Sequence, residues 1–254
     1  MLNASLTNIV IASLKAAGIT PPELTPIRPF PKYRADVGEL TERLLASEHE
    51  DPYEDPKIIA TVSKLYVQSL GQLDQGHYQR ERVRQAEDLH GHKDAMLEQL
   101  QDAFNKTAKS LIKHAEPLKR VEDPATINLR DADRATAMAA SNVIHEIMAL
   151  ENIIKAWRDL WLALGSNSYG VERGKPYTFM NPNAGQWEDL RNNPTIWEAV
   201  RNGVALTLAD SPEQVSERFQ AMINNEQAAR DAREEAKHTS YLPEGGYPQY
   251  VSAG

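Results

Sequence analysis

The sequence predicts an all-α protein built on a long antiparallel helical hairpin with a coiled-coil-like seam. Three observations carry this. From Pro56 to His114 no proline occurs and helix-forming residues dominate. Ala140, Val143, Ile147, Leu150, Ile154, Trp157, Trp161 and Leu164 follow one another in alternating steps of three and four, so all fall on a and d positions of a heptad frame. Proline, glycine and capping residues gather at the ends of such stretches and are scarce inside them.

The elements follow in order. Residues 4–17 have apolar helical character and stop at Gly18, a residue suited to the left-handed conformation that ends helices. This stretch resembles a secretory leader in its apolarity. However, no basic residue precedes the apolar run and Lys15 interrupts its end, so a short amphipathic helix is expected. Residues 19–34, ITPPELTPIRPFPKYR, contain five prolines and read as an extended, partly polyproline arm. Asp36 with Glu39 matches a capping box for a helix through about Ser47, and EDPYEDP is a turn. Residues 1–54 thus form N-terminal helices and an arm.

Residues 55–165 are read as the hairpin. Asp55-Pro56 supplies an N-cap and a proline at the first helical position. If unbroken to His114, this helix would be about 90 Å long, and Gly71, Gly76 and Gly91 are the places for a kink or break. Pro117 and Pro124 bracket a connector, Asn128 with Asp131 and Asp133 starts the second helix, and Gly165 ends it. Closing the hairpin at the connector sets His90 near Trp157 and Lys93 near Ile153, where a cation can lie on an indole face, unless a kink at Gly91 turns both outward. The stripe Ile59, Val62, Tyr66, Leu70 and Leu73 then overhangs the second helix and needs cover from other helices or another subunit.

Residues 166–254 are expected to hold an irregular Gly/Pro-rich segment (165–193), C-terminal helices and a flexible tail. VERGKPYTF reads as a small hairpin, Asn193-Pro194 starts a helix to about Leu208, and Ser211-Pro212-Glu213-Gln214 starts another through about Lys237. The aromatic residues Trp157, Trp161, Trp187 and Trp197 are either a packing cluster or interface anchors, and Tyr247 and Tyr250 give the tail aromatic handles.

Composition narrows the function. The net charge of −8 and the mixing of Lys and Arg with acids oppose nucleic-acid binding. No apolar run reaches the roughly 18 residues that span a bilayer, so no membrane association is expected. The absence of cysteine removes disulfides, thiolate metal sites and a cysteine nucleophile. In the helix of residues 141–165, His145 falls at f, away from the seam, with Glu146 at g and Glu151 at e. The two glutamates are expected to pair with basic residues on other helices. Glu87 and His90 form one Glu-x-x-His, the spacing of carboxylate-bridged di-iron bundles, which need a second such motif; His92 is the other weak ligand candidate. GVERGKP fails as a phosphate loop in its glycine spacing and its final proline.

The sequence therefore favours a non-enzymatic structural or assembly protein without cofactor, with itself or other subunits as partners. It is expected in the cytoplasm, or in a particle assembled there, such as a phage or virus-like particle (tail, connector or capsid-associated). Two alternatives stand beside this reading. One is a metal- or ligand-binding helical-bundle enzyme centred on Glu87 and His90; the other is a soluble adaptor that binds a partner through residues 20–34.

Overall fold

A computed structural model of the chain describes residues 4–30, 32, 34, 36–46, 48, 51, 54–69, 71–128, 130–166 and 175–240. It is all-α. Nine α-helices occur among the described residues: α1 (Thr7–Ala16), α2 (Val37–Leu45), α3 (Pro56–Ser69), α4 (Gln72–Gly91), α5 (Lys93–Ala115), α6 (Arg134–Ala163), α7 (Ala184–Leu190), α8 (Ile196–Arg201) and α9 (Pro212–Ser240). The only β pairing among them is a single antiparallel bridge, Met180 with Leu206. No helix of the described residues is long and apolar enough to cross a membrane.

The chain packs as two compact units, Met1–Gln99 with Asp159–Ser166, and Leu100–Arg158 with Asn167–Gly254. In the first unit, α1 buries Thr7, Val10, Ser13 and Leu14. It ends at Gly18 (φ 74°), where the Ile19 N–H reaches the Leu14 carbonyl at 2.9 Å. The buried Ser13 Oγ donates to the buried Asp159 carboxylate at 2.5 Å. Asp36 caps α2 by accepting from the Gly38 and Glu39 amides, while the Glu39 side chain turns to Arg43 and does not close the box.

The long helix expected from Pro56 to His114 is three helices. Gly71 adopts φ 66°, a left-handed conformation that no helix interior accommodates, and separates α3 from α4. A one-residue interruption at His92 separates α4 from α5. Gly76, with ordinary helical neighbours, stays inside α4.

In the second unit, Leu100, Phe104, Ala108, Leu111 and Ala115 on α5 are buried, as are Ala140, Val143, Leu150, Ile153 and Trp157 on α6. The seam residues Ile147 and Ile154 are only half-buried while Ile153, Ala156 and Leu160 off the frame are buried, so the inward face of α6 departs from the strict heptad frame. α6 begins at Arg134 and not at Asn128. Asp133 is the working cap, accepting from the amides of Ala135 and Thr136 and from the Thr136 hydroxyl, whereas Asn128 closes a turn on Arg130.

Three C-terminal expectations are corrected. The segment 165–193 is not wholly irregular, because Asn183 and Gln186 form a reciprocal capping box that starts α7. The helix expected from Asn193 to Leu208 is only the short α8. Gly203 (φ 67°) stops it, and the chain continues extended, with the Thr207 and Ala209 amides donating to the Phe179 and Thr178 carbonyls. Of the expected VERGKPYTF hairpin, residues 171–174 lie outside the described residues. Lys175–Thr178 is a 3-10 turn, and the pairing of 178–180 is with 206–209. α9 starts at Pro212 as expected and reaches Ser240.

Candidate functional site

Three places gather groups that can act on something else: the α3 face, the α4 face and the outer flank of α6. On α3, Ile58 is fully buried, but Ile59, Val62, Tyr66 and Val67 are 46, 39, 63 and 41 % exposed. Ile59, Val62 and Tyr66 follow helical spacing and form one face. Leu70 lies outside the described residues, as does the side chain of Leu73. Tyr247 and Tyr250 are also outside them.

α4 presents polar residues at a helical period to the arm. Asp88 accepts from the Thr25 amide and hydroxyl, both at 2.8 Å, and Glu81 accepts from the Arg28 amide at 3.0 Å. Gln85 donates to the Thr25 carbonyl at 2.8 Å, Arg84 to that of Pro26 at 3.2 Å, and His77 Nε2–H to that of Arg28 at 2.7 Å. Phe30 lies on the His77 ring, with centroids 5.4 Å apart. Arm residues 19–30 have no regular secondary structure, so these side chains take the place of a ladder. Hydrogen bonding from the Thr25 amide, then its hydroxyl, holds the Asp88 carboxyl below the usual carboxylate range. The Arg28 amide does the same for Glu81. Nothing in the residue pattern announced this contact, because charged residues on a polar helix read as a solvated surface.

The metal candidates Glu87, His90 and His92 are all exposed near the end of α4. Among the described residues no three His, Asp or Glu side chains are grouped to hold a metal ion. Lys93, at the start of α5, lies over the Trp161 ring at 4.6 Å. The sequence expected Ile153 opposite it. The cation–indole contact exists two helical turns further along α6, because that helix starts later than Asn128 and the register moves with it.

His145 is exposed and Glu146 turns inward, as the heptad frame placed them. The histidine that meets Glu146 is His114 of α5, with Nδ1 at 2.9 Å from Oε1, and the Ser110 hydroxyl donates to the same oxygen. Oε2 is buried with no hydrogen-bond partner among the described residues. His and Ser both converge on one carboxylate oxygen, so the hydroxyl is not aligned on the imidazole. The cluster is an inter-helix polar clip without the relay of a nucleophilic triad.

Of the tryptophans read as a packing cluster or as interface anchors, Trp157, Trp161 and Trp197 lie in the core, at 0, 9 and 6 % exposed. The Trp197 indole N–H donates to the Glu122 carbonyl at 2.9 Å and tethers α8 to the connector. Trp187 is half-buried and packs on Tyr177, with centroids 5.2 Å apart. Tyr177 is itself buried with a hydroxyl that has no partner among the described residues, and burial raises its pKa well above the usual phenol value.

Beside α6, two adjoining cavities of about 420 and 320 Å³ share Glu151, Thr195 and Ile196. Lys155, Arg158 and Lys175 line the first; Glu122, Asp123 and Glu198 line the second. Among the described residues Glu151 has no cross-helix partner, and this exposed side chain stands in the shared middle of the groove. Compared with protein-family models, curated proteins and solved structures, the chain matches none.

Proposed function

We propose that the chain is a non-enzymatic assembly protein, built on an antiparallel α5–α6 hairpin, whose α3 face binds a second copy of itself. One observation carries the reading: Ile59, Val62, Tyr66 and Val67 stay exposed on α3, although Ile58, one turn before Val62, is fully covered. Exposed apolar side chains gathered on one helix are the usual mark of an association surface, whereas scattered ones mean nothing. A two-fold contact would place each copy's Tyr66 against the same face of the other, with an aromatic near the centre where interface energy concentrates. The hairpin supplies a stiff body for such an assembly, with Val143, Leu150, Ile153 and Trp157 as its spine. A phage or virus-like particle component remains the setting this reading suits.

The adaptor alternative gains less support, since the main-chain groups of Thr25, Pro26 and Arg28 are already engaged by α4. The enzyme alternative rests on Glu87 and His90 alone, and metal analysis tests it: stoichiometric iron, manganese or zinc lost on His90→Ala would displace the assembly reading. Light scattering on the purified chain tests the proposal directly. A dimer or larger species is expected, and Tyr66→Glu with Val62→Glu should convert it to monomer. A wild-type chain that is monomeric at high concentration, or an oligomer indifferent to both substitutions, overturns it.

A further inference from the structure

The groove beside α6 is independent of the α3 face. The flank of α6 that lines it, Ile144 to Arg158, runs roughly a quarter-turn round from the buried Val143, Leu150 and Trp157. At 1.5 Å per residue it is about 21 Å long. The charges along it are sorted by sign: Lys155, Arg158 and Lys175 stand at one end, and Glu122, Asp123 and Glu198 at the other. Arg158 and Lys175 make no ion pair with any described residue, whereas Glu198 already has Arg201 at 3.4 Å. Between the two ends Ile144, Ile147, Ile154 and Ile196 supply an apolar lining.

We propose that this groove binds an extended peptide segment of about six residues from a partner protein, acidic at one end, basic at the other and apolar between. Length and charge each point there. An extended chain rises about 3.3 Å per residue, so about six residues match the flank. A ligand with one sign of charge would meet its own sign at one end, while a segment with both signs is complementary to the two ends together. Glu151, in the shared middle, offers an acceptor to the peptide's main-chain N–H groups.

Fluorescence anisotropy on the full chain tests this with four labelled hexapeptides. Two carry mixed charge, Lys-Ala-Leu-Pro-Leu-Glu and Glu-Ala-Leu-Pro-Leu-Lys; the other two have Lys at both ends or Glu at both ends. One mixed peptide is expected to bind about tenfold tighter than either like-charged peptide, with the margin shrinking at high salt. Arg158→Glu with Lys175→Glu should transfer the preference to the peptide with Lys at both ends. Neither side chain is buried, so the variant's unfolding midpoint should match that of the parent chain. Equal binding of all four peptides, or no binding at millimolar concentration, overturns the proposal. A preference for the doubly acidic peptide means a plain anion site and also overturns it, as does a mixed-charge preference that survives the double substitution.

Discussion

α3 and α4 lie in the same unit and are joined through Gly71, yet they reverse the expected relation between composition and cover. α3 carries several large apolar side chains, and the structure covers Ile58 while leaving Ile59, Val62, Tyr66 and Val67 in the open. α4 is the more polar of the two, and its His77, Glu81, Gln85 and Asp88 are the groups that hold the arm. The covering segment decides this outcome. An arm rich in proline has few N–H groups, no ladder to place them in, and carbonyls that still need donors. Carboxylates and amides at helical spacing on α4 meet those needs; an aliphatic face cannot. Hydrophobicity alone therefore does not tell which helix face will be covered.

That contrast can be broken or sharpened by experiment. The largest expected effect is at the covered residue of α3. Ile58→Ala should cost about 2–5 kcal/mol in chemical denaturation, against roughly 0.5 kcal/mol for Ile59→Ala measured on monomer. Equal losses would mean that the two positions are not different. Next comes the arm. Asp88→Ala leaves the Thr25 amide and hydroxyl without their acceptor, so hydrogen exchange at Thr25 should lose its protection while the middle of α4 keeps its own. Unchanged exchange at Thr25 would remove the arm from α4.

The third effect follows pH. Both Asp88 and Glu81 have carboxyls held below their ordinary range by arm hydrogen bonds, so each favours the docked arm when ionised. Their contribution is complete above the ordinary carboxylate pKa of about 4 and disappears as pH falls through the lowered values. Arm amide protection should therefore hold from neutral pH down to about 4 and fail only in stronger acid; failure at pH 6 would mean that these two carboxylates do not govern the docking. The smallest effect belongs to Tyr66→Glu, which should leave the monomer's thermal midpoint within about 0.5 kcal/mol of the parent's stability. A large loss there would mean that Tyr66 is packed and does not face outward.

Punctuation was the legible part of this chain. Gly18, Asp55-Pro56, Gly165 and Ser211-Pro212 mark element ends because one residue's own dihedral or hydrogen bond settles the matter. The heptad arithmetic put His145 outward and Glu146 beside the seam for a similarly local reason. Register was not legible. Lys93 meets Trp161 because α6 starts at Arg134, a fact that depends on Asp133 outcompeting Asn128 as the cap. Gly203 and the Asn183–Gln186 box were both visible in the sequence, but each needed weighing against a competing helix signal nearby. The groove was hidden for another reason: its two ends bring together residues from the connector, α6, the 175–179 turn and α8, which no linear spacing relates.

The hydrogen bond from Ser13 to Asp159 has a consequence in time. The two residues stand 146 apart in sequence, and both are buried in the same unit. Closing so long a loop costs entropy before any contact rewards it, and contacts of this span slow folding. The Ser13 hydroxyl meets the Asp159 carboxylate only once the last turns of α6 have been made. The unit that holds both cannot close before then. A nascent chain stopped anywhere short of Asp159 should hold α1 unsettled, however much of the intervening helix has already formed.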